Sequence, residues 1–297
     1  MKHTICTVFL VHLCFNGFAY GHCSGKFNSA MSFETAAYDP FSVTDTRKRQ
    51  RLTLRNLSDR PCYFRVYFIG RKKMDAFGSE IKYNLNSIAG TDILRSTLIE
   101  EEAQGVDAGP IDGSNSVTIE FDLTVDRGQF AHPGTYFDTI DAVLQGAETP
   151  SSFKPATTVE LDREPLVLSV NVKSVGSLSV SGAGLFTTVQ FEQLQNGKKR
   201  SLILEARSNA AYDLTFHSAN GGQMSLDPPI ADRDWNVLYE VKVDGARVDV
   251  NEPVLLSNER SEFGTRNHLL DFVIIDAMNK RAGIYKDVIT GTITPKY

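Results

Sequence analysis

The chain has 297 residues, room for two cores of ordinary domain size. Its 31 Lys and Arg stand against 36 Asp and Glu, a formal net charge of −5 with the basic residues scattered, which gives nucleic-acid binding no support. Beyond the amino-terminal segment no stretch is apolar enough to cross a bilayer as a helix.

That segment, MKHTICTVFLVHLCFNGFAYG, sets Lys2 before an apolar run from Ile5 to Leu13 and ends small-x-small at Gly17, Phe18 and Ala19. The pattern predicts a secretory signal peptide over residues 1–21; the competing reading, a retained anchor, has a short apolar run against it. Losing the leader removes Cys6 and Cys14 and leaves Cys23 and Cys62, an even pair bound for an oxidising compartment, so a Cys23–Cys62 disulfide is expected. His22, His132, His217 and His268 have neither HxH nor HExxH spacing, and no metal or other cofactor is expected. The short run Arg47, Lys48, Arg49 reads as a solvated strand end.

From there the chain alternates. Leu52/Leu54, Phe64/Val66/Phe68 and Val117/Ile119/Phe121/Leu123/Val125 are followed, after a long interval, by Tyr212/Leu214/Phe216 and Leu270/Phe272/Ile274. Period-two apolar patterns broken by Gly, Pro, Asn and Asp describe half-buried strands of a β-sandwich. A constant offset of 149 carries Tyr63 to Tyr212, Phe121 to Leu270, Val125 to Ile274, Gly134 to Gly283, Tyr136 to Tyr285, Asp138 to Asp287 and Ile140 to Ile289. The fold class expected is therefore all-β, two tandem immunoglobulin-like sandwiches, with GTYFDTI and GIYKDVI as the same element. In each, the tyrosine ring can pack while its hydroxyl ties down the preceding loop, as in a tyrosine corner.

The copies differ after that element. In the first, EPLVLSVNVKS follows, with Leu166, Leu168, Val170 and Val172 on one side of an extended chain and Val167, Ser169, Asn171 and Lys173 on the other. Four large aliphatics are a poor choice for a flexible linker, so residues 165–173 are expected to complete the first sandwich in cis. The competing reading makes them the first strand of the second sandwich, a role SVGSLSVSG already fills. In the second copy only KDVITGTITPKY follows Tyr285, and that sandwich is expected to lack its last strand. The expected units are thus 22–173 and 174–297, with Tyr285, Asp287, Ile289 and Ile293 on an edge that accepts a strand.

FETAAYDPFS after Cys23, PCYFRVYF with Cys62, RSNAAYDLTFHSANGG in the second copy, and the closing GTYFDTI and GIYKDVITGTIT together resemble the spore coat protein U-like domain of archaic, Csu-like chaperone-usher pilins. The resemblance covers nearly all of the mature chain and departs from the family in the second copy, where Ala211 aligns with Cys62 and no disulfide is available. It implies sandwiches missing a last strand, completed first by a periplasmic chaperone and then, at an outer-membrane usher, by the next pilin subunit. It also implies export through the periplasm to the cell surface, and attachment to a host or abiotic surface with biofilm formation. The stretch YGHCSGKFNSAMSF shows no apolar alternation to donate, so a two-domain tip adhesin is expected.

A coat or outer-surface protein using the same domain outside a fibre is the alternative. An enzyme is not expected: there is no GxSxG elbow, and Asp232 and Asp234 in DPPIADRDW read better as a solvated loop than as a calcium or catalytic pair. Candidate surface contacts are Ile88, Ile93 and Leu94 in residues 86–99 and Ile111 in residues 105–113, with core or edge-strand packing as the competing reading. Trp235, the single tryptophan, reads as packing.

Overall fold

The computed structural model describes residues 23–28, 32–76, 78–97, 105–153, 159–229, 235–250, 256–259 and 264–296. The expected leader, His22, Asp232 and Asp234 lie outside them. The first half forms β1 (Gly25–Phe27), β2 (Ser32–Glu34), β3 (Thr46–Asn56), β4 (Cys62–Ile69), β5 (Lys73–Ala76), β6 (Ser79–Ser87), β7 (Leu94–Arg95), β8 (Val106–Ile111), β9 (Ser116–Val125), β10 (Gly134–Ala147) and β11 (Glu160–Val172). The second forms β12 (Gly176–Val180), β13 (Lys199–Ser208), β14 (Tyr212–Ser218), β15 (Gln223–Asp227), β16 (Val237–Val243), β17 (Ala246–Val248), β18 (Leu256–Asn258), β19 (Thr265–Asp276), β20 (Ile284–Lys286) and β21 (Ile289–Pro295). The protein is all-β, two sandwiches in tandem.

In the first sandwich one layer runs β1-β3-β9-β6, and the other is built on β10, with β4 on one side, β11 on the other and β2 beyond β11. Strand β5 pairs along β6 and meets β10 at Phe137, closing one flank. The second sandwich repeats the path as β12-β13-β19-β16-β15-β20, with β14 between β18 and β21 in the facing layer. The offset of 149 relates β9 to β19 but not the strands they pair with: Phe121 and Leu270 are 149 apart, whereas their partners Gln50 and Leu202 are 152 apart. Alternation does what the pattern requires, since Leu52, Leu54, Phe121 and Leu123 are buried in the first core and Leu204, Ala206, Leu270 and Phe272 in the second. Phe121 anchors the first core, edge-on to Phe33 at 5.4 Å and tilted on Phe68 at 4.7 Å.

Cys23 and Cys62 are joined, stapling the chain ahead of β1 to the start of β4. Among the described residues no strand pairing crosses from one sandwich to the other. The junction is held by Asn209, fully buried, whose Nδ2 donates to the carbonyls of Ala131 at 3.1 Å and Lys173 at 2.8 Å while its Oδ1 accepts from Val175 N at 2.9 Å. Beside it the Arg207 guanidinium lies 5.0 Å from the Phe41 ring centre.

Candidate functional site

The difference between the copies is concentrated at one sheet edge. In the first, β11 runs antiparallel to β10, with Gly134 opposite Val172, Tyr136 opposite Val170, Asp138 opposite Leu168 and Ile140 opposite Leu166. Leu166, Leu168, Val170 and Val172 are all buried, and filling the groove with four such side chains contributes about 6–12 kcal/mol before entropic costs. The strand begins at Glu160, ahead of the 165–173 stretch in which the pattern is clear. Its far edge is occupied as well: β2 pairs with it in parallel, Thr35 N donates to Ser169 O at 3.0 Å, and Tyr38 N donates to Asn171 O at 2.8 Å.

The corresponding edge of the second sandwich has no such neighbour among the described residues. β20 pairs with β15 and β21 with β14, and neither has a partner on its other side. Tyr136 and Ile140 are buried, whereas their repeats Tyr285 and Ile289 are half-buried, as are Asp287 and Ile293. The segment corresponding to β2 is also unpaired: Phe33 is 5% exposed in the first copy, while Leu185 and Phe186 in the second are 75% and 87% exposed. Leu178, Val180, Val189 and Phe191 are only partly covered. Among the described residues, the second sandwich thus leaves backbone donors and acceptors open beside an apolar groove.

Two side-chain devices hold the rim of this groove in both copies. Tyr136 donates its hydroxyl to the carbonyl of His132 at 3.2 Å, and Tyr285 does the same to Arg281 at 2.7 Å, the loop tie that the repeated Gly-x-Tyr element suggested. The second device was not visible in the sequence. Tyr83 on β6 reaches across the sandwich to donate to Asp138 Oδ2 at 2.7 Å, and Tyr239 on β16 reaches Asp287 in the same way. Burial, reinforced by the adjoining carboxylate, drives both phenols well above the ordinary tyrosine range, so they remain donors at any physiological pH. Asp138 and Asp287 were linked by the repeat; their tyrosine partners sit on strands whose spacing differs between copies, so the constant offset misses them.

Three of the four proposed contact residues are corrected. Ile93, Leu94 and Ile111 are buried, because residues 92–95 fold back onto the sheet, with Leu94 pairing to Phe68 on β4, and Ile111 ends β8 opposite Cys62. Ile88 is exposed, in the turn after β6, on the side of the sandwich. The end away from the second sandwich is formed instead by the loops after β3, β8 and β10. They are tied down by side chains: buried Asn56 Nδ2 donates to the carbonyls of Arg60 and Ile111, both at 2.8 Å, and Arg60 pairs with Glu148 at 2.7 Å. A cleft of about 410 Å³ lined by Gly70, Arg71, Lys72, Leu94, Arg95 and Ser96 contains cations already matched by acids, Arg71 by Asp75 and Asp138 and Lys72 by Asp92. Trp235 is half-buried.

No family model matches the chain, and no curated protein matches it. Among solved structures it is similar to a chain of the chaperone–tip adhesion subunit pre-assembly complex from archaic chaperone-usher Csu pili of Acinetobacter baumannii. The two share the fold. Identity is 13%, the match covers 90% of this chain and 99% of that one, and the TM-score is 0.54. Weaker superpositions relate it to the CupB6 tip adhesin of Pseudomonas aeruginosa, at 10% identity, coverage of 92% of both chains and a TM-score of 0.39. The CFA/I adhesin of enterotoxigenic E. coli gives 10% identity, coverage of 92% and 93%, and a TM-score of 0.37.

Proposed function

We propose that the chain is a non-enzymatic adhesin subunit of a chaperone-usher fibre, with residues 22–173 facing the surface to be bound and residues 174–297 plugged into the shaft. The observation that carries this reading is the open β20–β21 edge beside exposed Leu185 and Phe186, set against the same edge filled by β11 in the first copy. A sandwich that supplies its own last strand has no need of a neighbour, which suits it to the end of a fibre. A sandwich with an open edge needs one, first from a periplasmic chaperone and then from the next subunit at the usher. The fold shared with a chain of the Csu pre-assembly complex agrees with this assignment. Surface attachment, biofilm formation and a place at the pilus tip follow from it.

The in-cis strand also fixes the register of the incoming one. Transferring the pairs at Tyr136, Asp138 and Ile140 through the repeat places the donor's apolar residues opposite Tyr285, Asp287 and Ile289, in an antiparallel strand that also covers Phe186. A donor strand of alternating apolar residues, fused after Tyr297 through a flexible linker, tests this. Amides of residues 284–295 should become protected from hydrogen exchange and the second sandwich should melt cooperatively at higher temperature. A second sandwich that is already monomeric, protected and cooperative without the added strand overturns the proposal.

A further inference from the structure

The outer face of the first sandwich carries a row of cations that strand completion does not use. Along β3, Leu52 and Leu54 turn inward while Arg47, Arg49, Arg51 and Arg55 turn outward, and Lys26 on β1 lies opposite Arg55. Alternate residues of a strand are about 7 Å apart, so the four arginines extend over about 27 Å of one flat, rigid face. Two carboxylates on β9 answer them. Asp122 is shared by Arg47 at 3.8 Å and Arg49 at 3.1 Å, and Glu120 by Arg49 at 3.8 Å and Arg51 at 2.9 Å. Arg55 donates to the Ser114 carbonyl at 3.2 Å, and neither it nor Lys26 has an ion pair among the described residues. Where the neighbouring strand β6 pairs with β9 it offers Asn84 and Asn86 at this face, and its acid, Glu80, lies beyond that pairing and is matched by Lys73 at 2.9 Å.

Folding does not ask for this arrangement. Rows of like charge on one strand face repel one another, and the matching strand of the second copy, β13, places Lys199, Ser201, Ile203, Glu205 and Arg207 outward instead. The row is also a local reversal of sign in a chain whose formal net charge is −5. Exposed guanidinium groups at Arg47, Arg49 and Arg51, with side-chain exposures of 59%, 50% and 73%, present forked donors suited to sulfate and carboxylate.

We propose that the outer face of β1, β3 and β9 binds an extended polyanionic glycan, a polysaccharide carrying sulfate or carboxylate groups along its length. Nucleic acid is the less suitable polyanion, because no aromatic ring stands among the outward residues of β3 and β9 to stack on bases. The inference concerns the first sandwich and holds whether or not the second accepts a strand.

Heparin, immobilised, is the probe, with the full chain in solution and neutral dextran as the control polymer. Binding to heparin should weaken steeply with added salt, and the Arg51→Glu/Arg55→Glu variant should bind about tenfold or more weakly, the loss expected of two charge-assisted contacts. Arg247→Glu, an exposed arginine of the second sandwich, should bind as the parent does. Lys26→Gln/Arg55→Gln removes two cations without leaving an acid unpaired; it should weaken binding at an unchanged melting temperature. Parent-like binding by both β1/β3 variants overturns the proposal, as does equal loss in Arg247→Glu. Duplex DNA held as tightly as heparin would overturn the choice of a glycan.

Discussion

The two sandwiches share a path and two tyrosine ties, yet one is closed and the other is open. Where β11 lies between β10 and β2, Tyr136, Ile140 and Phe33 are buried; where no strand of the described residues lies, Tyr285 and Ile289 are half-buried and Phe186 is bare. One strand thus changes the state of three elements, because a sandwich edge strand covers the groove from above and the flanking segment from the side. The first copy has a second advantage in its Cys23–Cys62 bond, for which the second has Ala211 at the place of Cys62.

The comparison can be broken most severely at β11. Leu168→Asp or Val170→Asp puts a carboxylate into the first groove and should destabilise that sandwich by about 5 kcal/mol or more, whereas Asn171→Asp on the exposed side should be nearly silent. Calorimetry on the full chain would show the first sandwich's transition moving down and the second's unchanged. A shift confined to the second sandwich would assign β11 to the wrong groove.

A smaller effect is expected from the staple. Cys23 and Cys62 are 39 residues apart, and replacing both with Ala should cost the first sandwich about 4 kcal/mol through the freedom returned to its unfolded chain. Denaturant melts of the double variant should bring the first sandwich closer to the stability of the second; an unchanged midpoint would mean that β11, not the disulfide, accounts for the gap.

Acid sharpens the comparison most gently. In the second sandwich, hydrogen bonds from Lys296 and Ser257 hold Asp213 below the usual carboxylate range, those from Lys199 and Ser201 do so for Asp271, and that from Lys280 for Asp276. Burial pushes Asp244 up, but hydrogen bonds from His268 and Leu269 N outweigh it and its net shift is also downward. In the first sandwich the described carboxylate held low is Glu160, by its bond to Arg163. A carboxylate whose folded pKa is depressed stabilises the fold above its unfolded value of about 4 and loses that contribution as pH falls through the folded value. Between about pH 4 and 2 the second sandwich should therefore lose melting temperature faster than the first, by a small margin because most of these groups are exposed. Parallel loss in both would show that these bonds add nothing measurable.

Much of this was legible in the sequence, for a physical reason: strand alternation and the 149-residue repeat are local patterns, and burial on a pleated sheet obeys them almost one residue at a time. Leu166, Leu168, Val170 and Val172 could be read as a filled groove because four aliphatics suit a tether poorly and SVGSLSVSG already supplies a first strand for the second sandwich. Ile93, Leu94 and Ile111 could not be placed, since an aliphatic in an irregular segment looks the same whether the chain bulges outward or folds back onto a neighbouring strand. The run Arg47, Lys48, Arg49 by itself looks like a strand end; the row is visible only at every second residue, on through Arg51 to Arg55.

The sequence by itself determined the architecture, the two-fold repeat, the pairing of Cys23 with Cys62 and the asymmetry of the last strand. Tertiary structure alone decided that Tyr83 and Tyr239 reach Asp138 and Asp287, that Asn209 clasps the junction, that Leu185 and Phe186 stand uncovered, and that Lys26 joins the β3 arginines on one face. Each of these depends on which strands become neighbours, and pairing between segments far apart in the chain is set by the whole core rather than by any local run of residues.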